Sequence, residues 1–511
     1  MLASVTSAGV YGIDALLVEV EVDVGKGVPR FVIVGLPDPA VKESLDRVTT
    51  ALRNSGYHFK SGRLVINLAP ADLRKEGPSF DLPIAIGMLI ATEQILCTNL
   101  QDYVIVGELA LDGRVRPAKG CLPMAIEAKN QGRRGIILSR DNAAEASVVT
   151  GLDVIPVATL VEAVGFLTGQ TFIEPYRVDV QKLFQQSLAN YDLDFSEVKG
   201  QDHAKRALTV AAAGGHNTIM IGPPGAGKTM LAQRLPSVLP LLSIEESLET
   251  TKVHSVAGLL GPADSLIATR PFRSPHHTVS DAGLVGGGTY PRPGEVSLSH
   301  NGVLFLDEFP EFDRHTLEVL RQPIEDGTVT IARAKMSIKF PARIMLVAAM
   351  NPCPCGYYGD PRRECRCSPG QIQRYMSRIS GPLLDRIDIH IEVPAPPYRE
   401  LRSDLPSVSS AEIREQVMAA RRVQEERFAG EKIFTNAGMA NRLVKQHCRL
   451  TNEAESLLKQ AMTSLALSAR AYTKILKVGR TIADLDGSRN LQAPHIAEAI
   501  QLRRLDRGGL I

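Results

Sequence analysis

The residues best suited to chemistry are Gly222, Pro223, Pro224, Gly225, Ala226, Gly227, Lys228 and Thr229, which follow the apolar run Thr218–Ile221 and precede a helical stretch starting near Met230. Glycines at this spacing let backbone N–H groups close on phosphate. An ammonium at 228 then meets the outer phosphates, and a hydroxyl at 229 ligates Mg²⁺. The strand, loop and helix context is the one a phosphate-binding loop requires, so a glycine-rich turn with a chance Gly-Lys-Thr is the weaker reading. A second apolar run, GVLFLDEF, delivers Asp307 and Glu308. Asp307 would hold Mg²⁺ through water while Glu308 orients and polarises the attacking water, the division of labour that phosphoryl transfer needs. In the competing reading the acidic pair caps the next helix at its positive end.

A third run, RIMLVAAM, ends at Asn351, a position from which a polar side chain senses the outermost phosphate. Arg386, in SGPLLDRIDIHIEVP, falls between a helix end and a strand, from where it can reach a neighbouring subunit's nucleotide as an arginine finger. Its alternative is local pairing with Asp385 or Asp388. Four cysteines, Cys353, Cys355, Cys365 and Cys367, follow Asn351 as two Cys-x-Cys pairs. They allow a tetrahedral structural Zn²⁺ site with no open position for catalysis; free thiols come second, and disulfides third in a reducing compartment. Arg362, Arg363 and Arg366 in the same loop would face DNA or an adjoining subunit.

These residues need alternating strands and helices to hold them. Residues 1–170 alternate strand-like runs (ALLVEVEVDV, RFVIVGLP, RLVINLAP, YVIVGELAL, RGIILS) with helical stretches (AVKESLDRVTTALRNSG, LPMAIEAKNQG), which predicts an α/β domain. Residues 171–195 read as a linker, 196–395 as a second α/β domain carrying the cysteine-rich insert 353–367, and the Pro/Ser-rich residues 396–410 as another linker. Residues 411–511 read as helices throughout, a small all-α domain. With 58 Lys+Arg against 56 Asp+Glu the net charge is only +2, so any nucleic-acid surface must be local. The first 25 residues have no basic leader and are interrupted by Asp14, Glu19 and Glu21, which argues against a signal peptide or membrane span and for a cytoplasmic protein.

Taken together, VKGQDHAKRAL, GPPGAGKT, VLFLDE, MNPCPCG, SGPLLDRIDI and LSARAYTKILKVGRTIADL resemble the ComM/YifB family of magnesium-chelatase-like AAA+ ATPases along essentially the whole chain. The resemblance implies a central AAA+ P-loop α/β module with a parallel sheet, a C-terminal all-α lid, and a homo-hexameric ring with ATP at its interfaces. It places Gly200 and Gln201 beside the adenine and makes Arg470, which opens a helix of the lid, a second sensor. It implies an ATP-driven helicase acting on single-stranded or branched DNA, promoting branch migration during natural transformation, with recombination proteins as partners and no membrane. A magnesium-chelatase motor subunit is the alternative, and the extra N-terminal domain stands against it.

Two insertions lining the ring are implied as well. RPFRSPHHTVSDAGLVGGGTYPRPGEVSLS occupies the first place with Arg270, Arg273 and Arg292, and EDGTVTIARAKMSIKFPAR the second, alternating like a hairpin with Arg333 and Lys335 near its tip. Arg292, Arg333 and Lys335 are the candidate DNA contacts, against solvated hairpin ends. His276 and His277 read as a polar loop feature. The N-terminal domain resembles the Lon-protease (S5-like) fold, with Ser79 in a Gly-Pro-Ser turn where Lon-type Ser-Lys proteases place the nucleophile. The matching lysine position falls on Leu122, with Lys119 three residues early, so the resemblance favours the fold and opposes proteolysis. Ser79 would then cap a helix.

Overall fold

The computed structural model describes residues 2–503 apart from 26–29, 59–62, 73, 98, 181, 183–190, 289, 334–335, 398–406 and 432. Contacts divide the chain into two compact units. One comprises Met1–Ser187, Ile244–Ala268 and Ile338–Phe340, and the other Leu188–Ser243, Thr269–Ser337 and Pro341–Ile511.

In the first unit, β1 (Leu2–Tyr11) and β2 (Asp14–Gly25) form a long antiparallel hairpin that turns at Gly12, φ 66. β1 was not evident from sequence, because LASVTSAGVY is rich in small and hydroxyl residues, yet Val5 and Ala8 are fully buried within it. β3 (Arg30–Val34), α1 (Pro39–Asn54) and β4 (Arg63–Ala69) complete a sheet ordered β1-β2-β4-β3. Asp38 caps α1 by accepting from the Val41 amide at 2.7 Å. α2 (Asp81–Ala91) is apolar on all sides and buried along almost its whole length against β1 and β2. Gly87 permits that approach, since a Cβ there would meet Val22 Cγ2 at 2.7 Å. Asp81 at the start of α2 is buried and gripped by Arg47 Nε and Nη2 at 2.9 and 3.2 Å.

A second, all-parallel sheet of this unit is formed by β5 (Tyr103–Ile105), β6 (Gly135–Ser139) and β7 (Asp153–Val157), with α3 (Cys121–Asn130) and α4 (Leu160–Leu167) alongside. The helix Ile244–Ala257 lies in sequence between two strands of the other unit yet folds here, against α3. Its Ser255 carbonyl accepts from the Gly120 amide at 3.0 Å, its Ser255 hydroxyl donates to Glu145 at 2.7 Å, and Lys252 pairs with Asp14 at 2.6 Å.

The second unit is built on a five-stranded parallel sheet. Its elements are α5 (Asp202–Gly214), β8 (Thr218–Ile221), α6 (Lys228–Arg234), β9 (Phe272–Arg273), β10 (Val303–Leu306), the two-stranded pair β11 (Thr328–Arg333) and β12 (Met336–Pro341), β13 (Met345–Met350), α7 (Pro369–Met376) and β14 (Ile389–Glu392). Strand order is β9-β10-β13-β8-β14. β8, β10 and β13 are buried at every residue, as strands covered on both faces must be, which explains their unbroken apolar runs. The five C-terminal helices α8 (Ser410–Arg427), α9 (Asn441–His447), α10 (Asn452–Ser464), α11 (Ala469–Leu485) and α12 (Ala493–Gln501) share one apolar core with this sheet. A buried polar seam joins them to it: Asp388, just before β14, pairs with Lys474 and lies 3.1 Å from His216, whose other ring nitrogen is 2.8 Å from Thr481. Opposed by its burial but held by Lys474 and His216, the Asp388 carboxyl lies far below the usual carboxylate range.

Candidate active site

β8, β13 and β10 are neighbours, and each delivers a polar group at its carboxyl end, where ligands gather in open parallel sheets. Gly222 leaves β8 so close to β14 that a Cβ would lie 2.0 Å from the Val393 carbonyl oxygen, so no larger residue fits. Gly225 and Gly227, at φ 78 and 87, turn the chain back into α6. Lys228 then points into the loop. Its ammonium donates to the carbonyls of Gly222 (2.7 Å) and Pro223 (3.0 Å) and to Asn351 Oδ1 (3.2 Å). Burial lowers its pKa, opposed by the charge of Asp307. Thr229 Oγ1 donates to Asp307 Oδ2 at 2.7 Å, so the two groups read as Mg²⁺ ligands face each other.

Glu308 adopts φ 52, the left-handed region that is uncommon for a residue other than glycine. Its amide donates to Asp307 Oδ1 at 2.9 Å, and neither acidic side chain caps the short turn of helix that follows. The capping alternative therefore fails. Sequence reasoning missed the partner of Glu308: His277 Nδ1 lies 3.1 Å from its Oε2. His276 supports the His277 ring at 4.1 Å, and Phe312 meets it edge-on at 6.4 Å. The His-His pair alone gave no signal, because its target lies 31 positions onward.

Gly200 and Gln201 both have positive φ (64 and 59), and Gln201 Nε2 donates to the carbonyls of Pro394 (2.7 Å) and Ala226 (3.4 Å), so it spans the phosphate loop and the exit of β14. The two arginines lie apart from the loop's hydrogen-bonding network. Arg386 Nη2 pairs with Glu325 at 2.5 Å and Nη1 donates to the Pro382 carbonyl at 2.6 Å, while Nε is buried with no partner among the described residues. Its local partner is thus neither Asp385 nor Asp388. Asp385 instead takes Arg470, at 2.8 Å.

Of the candidate DNA contacts, Arg292 is exposed on a short antiparallel pair, Gly287↔Arg292, and Arg333 ends β11, whereas Lys335 lies outside the described residues. Arg273 is held by both oxygens of Glu295 (2.6 and 2.7 Å) and Arg270 bonds the Asn301 carbonyl at 2.7 Å, so both serve the fold. The sulfurs of Cys353, Cys355, Cys365 and Cys367 all lie within 4.8 Å of one another. Arg363 stacks on Tyr357 and donates to its hydroxyl at 2.7 Å, and Arg362 bonds the carbonyls of Ala395 and Pro396 at 3.4 Å. In the first unit Ser79 is almost fully buried and does not cap α2, whose N-cap is Phe80 with no side-chain bond. Leu122, at the lysine position of the Lon pattern, is fully buried, while Lys119 lies in the preceding turn against Gly258.

Among the described residues, no helix is long and apolar enough to cross a membrane. Family models described as "Magnesium chelatase, subunit ChlI", "Subunit ChlI of Mg-chelatase" and "Magnesium chelatase, subunit ChlI C-terminal" match residues 194–401, 20–142 and 407–503. Competence protein ComM of Haemophilus influenzae is 46% identical over 511 residues, covering 99% of this chain and 98% of that protein. YifB of Escherichia coli is 44% identical over 512 residues, with the same coverage. Lon protease 2 of Bacillus subtilis is 28% identical over 144 residues, 28% of this chain and 26% of the protease. Similarity that runs the length of both chains, with the phosphate loop, Asp307 and Asn351 assembled on adjacent strands, establishes that the chain belongs to the ComM/YifB family of magnesium-chelatase-like AAA+ ATPases.

Proposed function

We propose that this chain is an ATP-driven, homo-hexameric DNA motor, a cytoplasmic helicase that promotes branch migration of recombination intermediates as incoming DNA is integrated. The observation that carries the reading is the convergence of Lys228, the Thr229–Asp307 pair, Glu308 and Asn351 at the ends of three adjacent parallel strands. The donor set fits a magnesium nucleotide: a buried ammonium among glycine backbone groups, and a hydroxyl facing a carboxylate. When bound, Mg²⁺ and ATP supply the transferable phosphoryl group and offset the charge that grows on its oxygens. Lys228 and the 222–227 backbone bind phosphate, Thr229 and Asp307 hold the metal, and Asn351 fixes Lys228. Glu308 directs the attacking water, and His277 holds Glu308 in place. Gly200 and Gln201 line the base side, Arg386 serves the neighbouring subunit, and Arg470 reports lid position. Arg292, Arg333 and Lys335 track the phosphate backbone of single-stranded or branched DNA. A structural Zn²⁺ on Cys353, Cys355, Cys365 and Cys367 completes the set of cofactors, and recombination proteins are the natural partners.

A chelatase motor subunit is the second reading, favoured by the three ChlI matches. The N-terminal domain does not by itself exclude it, since one of those matches covers residues 20–142. Full-length similarity to a competence protein favours DNA. The test is ATP hydrolysis with and without branched or single-stranded DNA, together with strand exchange on a synthetic junction by the wild type and Lys228→Ala. DNA stimulation and exchange that vanish in Lys228→Ala are expected. Turnover indifferent to DNA, with no exchange, overturns the proposal.

A further inference from the structure

Fifteen residues separate the sensor strand β13 from α7, and they carry no helix or strand of their own. Within them the sulfurs of Cys353 and Cys355 are 3.3 Å apart, those of Cys353 and Cys365 3.7 Å, and those of Cys355 and Cys365 3.6 Å. Four sulfurs bound tetrahedrally at about 2.3 Å from one Zn²⁺ stand about 3.8 Å apart. A disulfide would bring two of them to about 2 Å. The cluster therefore has the spacing of ligands around one ion. Backbone amides also converge on it: those of Tyr357 and Arg366 donate to the Cys355 sulfur and that of Cys367 to the Cys365 sulfur, bonds that stabilise thiolates.

The cage also leans on the phosphate loop. Gly356, at φ 85 directly after Cys355, lies so close to Pro224 that a Cβ would meet the proline Cδ at 2.6 Å, with Asn351 Cγ at 3.9 Å. Arg362, from the same insert, bonds the carbonyls of Ala395 and Pro396, next to Pro394, which accepts from Gln201. Tyr375 on α7, just beyond the last cysteine, bonds the backbone of Asn351, and burial pushes its hydroxyl up to about 12. Three walls of the pocket, Pro224, Asn351 and the 394–396 segment, are thus contacted by a loop or its flanking helix, and four thiols organise that loop.

We propose that Cys353, Cys355, Cys365 and Cys367 hold one Zn²⁺ and that the loaded cage is a structural wall of the nucleotide pocket, so that nucleotide affinity depends on zinc occupancy. The coupling rests on the reading of the 222–229 loop as that pocket. A loop with no regular structure and a single fully buried cysteine, Cys353, takes its order from the metal, because binding free energy at such sites is folding free energy. Without the ion, Gly356 loses its seat on Pro224 and Asn351 loses its support.

The experiment uses the full chain. Zinc per chain is measured on protein purified under reducing conditions. A fluorescent ATP analogue is then titrated into the loaded protein, into protein stripped by a chelator and reductant, and into stripped protein given Zn²⁺ back. One zinc per chain is expected, with affinity weakened about tenfold or more on stripping and restored on reloading. Gly356→Ala, which touches no thiol, is expected to keep the zinc and still weaken the nucleotide, so the coupling is readable even if Cys→Ser variants misfold. A reduced sample without zinc overturns the cage. Stripped protein that binds as tightly as loaded protein overturns the coupling alone. Loaded wild type that binds no more nucleotide than Lys228→Ala overturns the pocket reading, and the coupling with it.

Discussion

Arg386 offers the sharpest test of how subunits cooperate. In the single chain its guanidinium is docked on Glu325 and on the Pro382 carbonyl, and it makes no bond to the phosphate loop. As an arginine finger it must leave those partners and enter the neighbour's site, where such a group accelerates phosphoryl transfer about 10³-fold or more. Glu325 is 56% exposed, so its ion pair contributes no more than about 1 kcal/mol. Arg386→Ala should therefore reduce turnover about 10³-fold with nucleotide binding preserved. Glu325→Gln should raise turnover, by no more than about fivefold, by freeing the finger. The decisive assay mixes two inactive variants, Arg386→Ala and Glu308→Gln. In randomly mixed rings about one interface in four joins an intact site to an intact finger, so about a quarter of the wild-type rate should return. Equimolar mixtures that stay inactive while forming rings would refute action in trans, and an Arg386→Ala protein with full activity would refute the finger itself.

Three further outcomes follow from the site and its supporting core. His277→Ala should lower kcat about tenfold and leave the KM for ATP unchanged, because His277 touches Glu308 rather than the phosphate loop, with partial rescue by His277→Asn; a change confined to KM would count against it. Asp484 is fully buried and accepts from both terminal nitrogens of Arg427, from Arg480 Nε at 3.0 Å and from Asn436 at 2.8 Å, so Asp484→Ala leaves two guanidinium groups uncompensated. Urea unfolding should show a loss of about 3–5 kcal/mol, and an unmoved midpoint would contradict the network's role. Burial, then repulsion from Lys474, brings the Lys477 amine down to about 8. The folded chain therefore sheds this proton before the unfolded chain does, and the contribution of Lys477 to stability rises as pH climbs from about 8 towards 10.5. Lys477→Met should flatten that slope in unfolding measured across the window, and an unchanged slope would refute the assignment.

The parts of the fold that were legible share a physical cause. β8, β10 and β13 are covered on both faces, so each had to be an uninterrupted apolar run, and the polar residue that ends it marks the site. The C-terminal helices announced themselves by their periodicity, as α8 and α11 show, each opening on a serine cap. β1 was missed because alternation needs bulky residues to be visible, and here Ser, Ala and Gly alternate with only two valines on its length. The path of Ile244–Ala257 was also hidden. Its sequence says helix, but that it packs on α3 follows from a Ser255–Glu145 contact across 110 positions, which no local pattern encodes.

The candidate site divides along the same line. Groups that act through backbone geometry were legible: the phosphate loop needs glycine at 225 and 227 because φ is positive there, and four thiols in two close pairs are rare enough to signal a cage. Groups defined by a partner were not. A local alternative for Arg386 considered only Asp385 and Asp388, its neighbours in sequence, whereas the carboxylate that holds it is Glu325, 61 positions away. His277 looked inert for the same reason until the left-handed turn at Glu308 brought the carboxylate to it. That turn makes a specific demand: a non-glycine residue held at φ 52 persists only where surrounding contacts fix it, and the contacts here are the Asp307 side chain and His277. The strain and the histidine are therefore one device, which aims the carboxylate, and Glu308→Gly should relax the backbone while abolishing turnover.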